Sequence, residues 1–175
     1  FSGLPKLSFW RAPTGNDFGA GGRYRARLWE SASYNRTTTC KGLAESKGSR
    51  TLSYEVKLKG IEAKVDLSYT VNADGSLTVN SRYKALGNDL PEMMRFGMIM
   101  TLPKSFNDFT WYGRGPYENY IDRNHDTFMG EWNGKVEEQA FHYYRPQETG
   151  NKTDVRWLTL KNDRGNGIRI TGSQP

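Results

Sequence analysis

Cysteine and histidine are nearly absent from this sequence, and each shortage removes a class of chemistry. The one cysteine, Cys40, has no partner for an internal disulfide and cannot build a Cys-cluster metal site. It reads as a small apolar residue on a strand. The two histidines, His125 and His142, stand far apart without clustered acids, so no metal is expected to bind within the chain. No apolar run approaches the length of a membrane helix, and Phe1–Lys6 lacks a basic-then-apolar leader pattern, so no membrane partner is expected. The absence of a Gly-x-Ser-x-Gly elbow leaves nucleophilic hydrolase chemistry without support. Gly19, Gly21 and Gly22 lack the spacing and the Lys-Ser/Thr end of a phosphate loop. Basic residues outnumber acidic ones, 25 to 19, yet they are scattered among the acids rather than gathered in one run. That pattern argues against a nucleic-acid partner.

Glycine and aromatic residues are plentiful: 19 glycines and 13% Phe, Trp and Tyr suit a turn-rich β protein better than a helical bundle. At 175 residues the chain is long enough for one domain with a real core, and a single domain, 1–175, is the expectation. The densest stretch runs from Trp111 to Arg123 and carries four aromatic rings, two arginines, two acids and an amide around Gly113-Arg114-Gly115-Pro116. The glycines permit a tight bend and Pro116 stops regular structure, so the flanking side chains are expected on a rigid bend. Rings beside guanidinium and carboxylate groups suit a sugar, which has apolar C–H faces and many hydroxyls. The same residues equally suit a structural corner in which Arg114, Glu118, Asp122 and Arg123 pair with one another.

Earlier in the chain, Phe9-Trp10-Arg11-Ala12-Pro13-Thr14-Gly15-Asn16-Asp17-Phe18-Gly19 reads as a loop held by an aromatic anchor. Tyr24, Leu28 and Ala32 recur every four residues and predict a short amphipathic helix over 23–33. From Leu52 the period becomes two, through Tyr54, Val56, Leu58 and then Val65, Leu67, Tyr69, Val71; Asn72-Ala73-Asp74-Gly75 turns the chain into Leu77, Val79 and Tyr83. This is a β-meander with one buried face. Phe96–Met100 with Leu102 predicts a continuous strand covered on both faces, and the methionines around it, Met93, Met94, Met98 and Met100, read as core filler. Phe128–Gly134 reads as an aromatic turn. Val155, Trp157 and Leu158–Leu160 resume alternation, Asn162–Gly167 turns, and Ile168 and Ile170 form a last strand close to the end. Such a strand leaves a sheet edge unpaired unless more chain covers it, so truncation at the C-terminus is expected.

Glycoside hydrolysis needs two carboxyl groups facing each other across the scissile bond. Asp17, Glu118, Asp122, Glu131 and Glu148 lie in the dense stretches, but most sit beside an Arg or Lys that explains them equally well as ion pairs. The residues by themselves assign no catalytic set.

Phe9-Trp10-Arg11-Ala12-Pro13-Thr14-x-Asn16-Asp17, then Trp111-Tyr112-Gly113-Arg114-Gly115-Pro116-x-Glu118-Asn119-Tyr120-x-Asp122-Arg123, then Pro146-Gln147-Glu148-x-Gly150-Asn151 before Arg156-Trp157, occur in that order, with Arg95–Met98 and Leu102-Pro103 between the first two. Together they resemble the C-terminal β-sandwich, or small-chain domain, of bacterial LacZ-type β-galactosidases in glycoside hydrolase family 2. The resemblance implies an all-β, mainly antiparallel β-supersandwich of the galactose mutarotase-like type, cut from a larger multidomain enzyme that is retaining. It places the catalytic glutamates on a TIM-barrel domain of the same polypeptide, so no catalytic residue is assigned here. The parent's Mg and Na are likewise implied to be bound mainly by other domains. By position in the motif, Arg11, Asn16, Asp17 and Gly19 look like the loop that closes over the active site. Trp111, Arg114, Glu118, Asn119 and Glu148 are candidates for a sugar-facing or interdomain surface, while Arg123 and Arg156 look structural. The family's own aromatic contribution to the sugar pocket lies beyond Pro175. A β-galactoside ligand, a homo-oligomeric parent and a bacterial cytoplasmic or periplasmic setting are implied as well. The rival readings are a stand-alone carbohydrate-binding module and a mutarotase-like sugar epimerase; the second would need a placed acid/base pair, against which the sparse histidines argue.

Overall fold

The computed structural model describes residues 3–19, 21–90 and 92–172, with the backbone but not the side chains of 22–25. The described chain is all-β in class, with 45% of it in strands and 11% in helices, and its two four-stranded sheets are antiparallel, consistent with a β-sandwich. Its contacts divide it into two compact units, one of Leu7–Arg11 with Gly19–Ile99, the other of Phe1–Lys6, Ala12–Phe18 and Met100–Pro175.

In the first of these, α2 (Gly22–Tyr34) is followed by β2 (Arg36–Ser46), β3 (Ser49–Leu58), β4 (Ala63–Val71) and β5 (Leu77–Ala85), which pair in chain order as a meander. β1 (Lys6–Ser8) pairs with β6 (Gly97–Ile99) in a two-stranded sheet, and a shorter helix, α1 (Gly15–Gly19), belongs to the other unit but for its last residue. The period-two pattern is realised in part: Val56, Leu58, Ala63, Val65, Leu67 and Tyr69 join Leu7, Phe9, Trp29, Ala32 and Ile61 in one buried cluster with Tyr54, Val79 and Tyr83 packed against it, whereas Val71 and Leu77, beside the turn, are 54% and 42% exposed. Each fully buried side chain of this kind contributes on the order of 2 kcal/mol of transfer free energy. Met93 and Met98 pack against the cluster, as filler should. The Asn72–Gly75 turn closes with Gly75 at φ 83° and Asn72 N–H bonded to Ser76 O at 2.9 Å. The 162–167 turn of the other unit repeats it, with Gly165 at φ 76° and Asn162 N–H bonded to Asn166 O at 2.9 Å.

Several expectations are corrected. Residues 15–19, read as loop, form α1, because Thr14 and Asp17 cap the turn reciprocally. The helix over 23–33 is present with Ala32 buried as expected, but Ala26, Trp29 and Ser33 complete its buried side, Leu28 is 47% exposed, and the Tyr24 side chain lies outside the described residues. The strand expected at Phe96–Met100 is only three residues long and Ile99 is 59% exposed, so it is not covered on both faces. β2 was not legible in the sequence; its residues beyond Arg36 are exposed on both faces and therefore show no hydrophobic alternation.

In the other unit, β7 (Asp108–Gly115) lies between β8 (Phe128–Lys135) and β9 (Trp157–Lys161), and β10 (Gly167–Thr171) follows β9 at the edge. Two corrections arise here. Trp111–Gly115 is strand rather than bend, and the chain leaves the sheet at Pro116, which has no N–H to donate. Phe128–Gly134 is likewise a strand rather than a turn, paired along its length with β7. Trp111 is 1% exposed, stacks on Phe109 at 4.8 Å and donates its indole N–H to Arg114 O at 3.0 Å. Trp132 lies across Gly115 and donates to Gly113 O at 3.2 Å. A methyl group at Gly115 would fall 2.6 Å from the Trp132 ring. Gly115→Ala is therefore expected to displace that indole and lower stability by about 2 kcal/mol, read as a shifted urea midpoint.

Candidate functional site

Residues 12–17 of the first dense motif and the whole of the other two fall within one unit. Glu118 follows Pro116 as the chain leaves β7, and its side chain is 10% exposed. Its Oε1 accepts from Arg123 Nη2 at 2.6 Å and from the Tyr143 hydroxyl; its Oε2 accepts from Thr149 Oγ1 at 2.9 Å and from Gly150 N–H at 2.7 Å. Both carboxylate oxygens are thus committed to donors of the 141–150 segment and to Arg123. Burial pushes the Glu118 carboxyl up, and the bonds from Tyr143, Gly150, Thr149 and Arg123 outweigh it, so the group ionises below the ordinary carboxylate value. The Tyr143 and Glu118 hydrogen bonds hold the Arg123 guanidinium in its charged form still more firmly than usual.

Asn119, 0% exposed, forms a second clasp. Its Nδ2 donates to Arg114 O at 3.3 Å and to Tyr117 O at 3.0 Å, while its Oδ1 accepts from Thr153 N–H at 2.8 Å and Thr153 Oγ1 at 2.6 Å. Its backbone joins Asn151 in both directions, through Asn119 N–H to Asn151 O and Asn151 Nδ2 to Asn119 O. Arg114 continues the seam, donating from Nε to Asp154 at 2.6 Å and from Nη1 to Thr127 O at 3.2 Å. A segment that leaves a sheet after proline carries many unpaired backbone groups, and these side chains satisfy them.

Tyr120 lies beside this seam. Its hydroxyl is buried without a hydrogen-bond partner among the described residues, and its pKa is pushed up to about 12 by burial and then by the charges of Glu118, Glu148 and Tyr143. Lys152 places its ammonium 5.1 Å from the Trp111 ring centroid, where burial lowers its pKa against the pull of Glu118.

The remaining motif residues fall as follows. Asn16 is exposed, and Asp17 accepts from Thr14 N–H at 2.7 Å and Thr14 Oγ1 at 2.9 Å. Glu148 is partly buried and its backbone N–H donates to Pro13 O at 3.0 Å. Arg11 and Gly19 belong to the other unit. Trp111 is a core residue of its sheet, with its ring between Phe109 and Lys152, so it offers no open face to a ligand. Asp122 is exposed, and Arg156 is exposed with its backbone N–H bonded to Tyr112 O at 2.8 Å. Tyr143, Thr153 and Asp154, which complete the clasp, were not among the expected site residues; they lie 25 to 40 positions from their partners and outside the three family-like motifs. Among the described residues no group of three or more His, Cys, Asp or Glu side chains could hold a metal ion.

The four-stranded antiparallel sheet and its ion-paired corner define a β-sheet domain. Comparison with known proteins makes the assignment more particular. Residues 2–173 match the family described as β-galactosidase small chain, and the chain belongs to that family. It is 38% identical over 165 residues to a β-galactosidase of Priestia megaterium, covering 94% of this chain and 16% of that protein. It is 35% identical over 170 residues to one of Halalkalibacterium halodurans, covering 95% and 17%, and 36% identical over 174 residues to one of Lactobacillus delbrueckii subsp. bulgaricus, covering 97% and 17%. The chain therefore spans about a sixth of the length of these relatives.

Proposed function

We propose that this chain is an accessory domain, C-terminal in its polypeptide, of a retaining glycoside hydrolase of family 2 that removes terminal β-D-galactose from β-galactosides such as lactose. The observation that carries the reading is the match of almost the whole chain to the small-chain family while it covers only 16–17% of proteins named β-galactosidase. The commitment of Glu118 to four donors supports a structural rather than an acid/base role for that carboxylate. In this reading hydrolysis belongs to a TIM-barrel domain of the same polypeptide, which also holds most of the Mg and Na, and the parent assembles as a homo-oligomer. The segment with Arg11, Asn16, Asp17 and Gly19 borders the sugar pocket, and this domain shapes its mouth.

The test is to titrate galactose and lactose into the purified chain by calorimetry while assaying a chromogenic β-galactoside. No turnover with weak or absent binding is expected. Turnover by the chain alone would sink the accessory-domain reading, and saturable binding without turnover would replace it with a sugar-binding module.

A further inference from the structure

The turn that carries Asn16 is too short to hold its own shape. A five-residue helix lies far below the length at which isolated helices persist, so its geometry must be imposed by what it touches. Within the same unit, the segment 145–148 touches it at its start, middle and end. Glu148 N–H donates to Pro13 O at 3.0 Å, Gly15 N–H donates to Gln147 Oε1 at 2.5 Å, and the Arg145 guanidinium lies 3.9 Å from the centroid of the Phe18 ring. Gly15 is part of this fit, since a methyl group there would stand 3.3 Å from the same Gln147 oxygen. The Thr14–Asp17 cap closes the turn internally. Asn16 is thus held exposed between two clamped neighbours.

We infer that Arg145 and Gln147 are positioning residues that hold the Gly15–Phe18 turn, and with it the exposed Asn16 amide, in place for the galactoside. The inference rests on the proposed function, which puts this turn at the sugar pocket. Neither side chain need touch the sugar. Each acts by limiting the conformations that the turn would otherwise lose on binding, a cost that appears in affinity rather than in the chemical step.

The test is steady-state kinetics on the complete enzyme that carries this chain, with a chromogenic β-galactoside, for Arg145→Ala, Gln147→Leu, Gln147→Glu and Asn16→Ala. Loss of an exposed cation–π contact predicts a two- to fivefold rise in KM for Arg145→Ala, at about the same kcat. Loss of one hydrogen bond predicts a rise of about fivefold for Gln147→Leu. Gln147→Glu keeps an acceptor oxygen facing Gly15 N–H and is expected to restore KM to within about twofold, which loss of packing alone would not predict. If Asn16→Ala raises KM while Arg145→Ala and Gln147→Leu do not, the positioning role is wrong and the loop assignment stands. If Asn16→Ala also leaves KM unchanged, the assignment of this turn to the sugar pocket fails with it. Equal KM for Gln147→Glu and Gln147→Leu would likewise overturn the role given to Gln147.

Discussion

Glu118→Ala is expected to lower the unfolding free energy by about 3 kcal/mol, the largest single loss among the charged residues of the corner. Four donors converge on this carboxylate, and the Thr149 hydroxyl, the Gly150 N–H and the Tyr143 hydroxyl lose their shared acceptor together. The ion pair adds little, because Arg123 is half exposed and water screens it. Urea unfolding followed by tryptophan fluorescence reads the change; a loss under about 1 kcal/mol would mean that the bonds re-form around water. The acid limb of stability gives an independent check. The Glu118 carboxyl ionises below its ordinary value in the folded chain, so its contribution is fully present above the unfolded value, about 4.3, and disappears as pH falls through the folded one. Glu118→Gln is expected to flatten stability below about pH 4 relative to the parent. Should Glu118→Ala in the complete enzyme also change the galactoside KM, the sugar-facing reading of this residue would be favoured; a stability effect alone would leave it as a corner residue.

Asn119→Asp is expected to cost a similar amount, about 3 kcal/mol, for a change of one atom. The amide is fully buried and donates from Nδ2 to two carbonyl oxygens, Arg114 O and Tyr117 O. An aspartate would set an oxygen against both, while its other oxygen would still meet the Thr153 N–H and hydroxyl. Asp122→Asn is the control, an exposed neighbour whose change should stay within about 0.5 kcal/mol. Equal melting temperatures for the two variants would show that the Asn119 donors do not hold the 117–119 bend to the 151–153 segment.

Both effects arise in a stretch whose composition marked it from the outset but whose role the residues left open between ligand wall and structural corner. The hydrogen bonds build a corner there, whose partners differ from those expected. Glu118 does pair with Arg123, whereas Arg114 turns to Asp154 and Asp122 faces solvent. Such a choice depends on which of several similar acids lies nearest an arginine in space, and nothing local encodes it.

The meander from Leu52 to Tyr83, its Asn-x-x-Gly turn, the β9–β10 hairpin and the presence of a helix over 23–33 were all determined by the sequence itself. In the meander and the helix one face is buried over several residues, so a side-chain period can be read along the chain, and the two turns are marked by Asn and Gly at the positions that need them. Only the tertiary structure decided the rest. β2 is exposed on both faces and has no period to read, and Ala26 and Trp29 were chosen for burial by what the helix packs on rather than by their spacing. The strand identity of 111–115 and 128–134 comes from pairing that lets glycines lie under Trp132. The clasp of Glu118 and Asn119 on residues 143–153 and the clamp of 145–148 on Gly15 and Phe18 are contacts between segments 25 to 132 positions apart. The clasp draws its energy from satisfying part-buried polar groups, the clamp from exposed contacts, and both exist only once the fold brings the segments together.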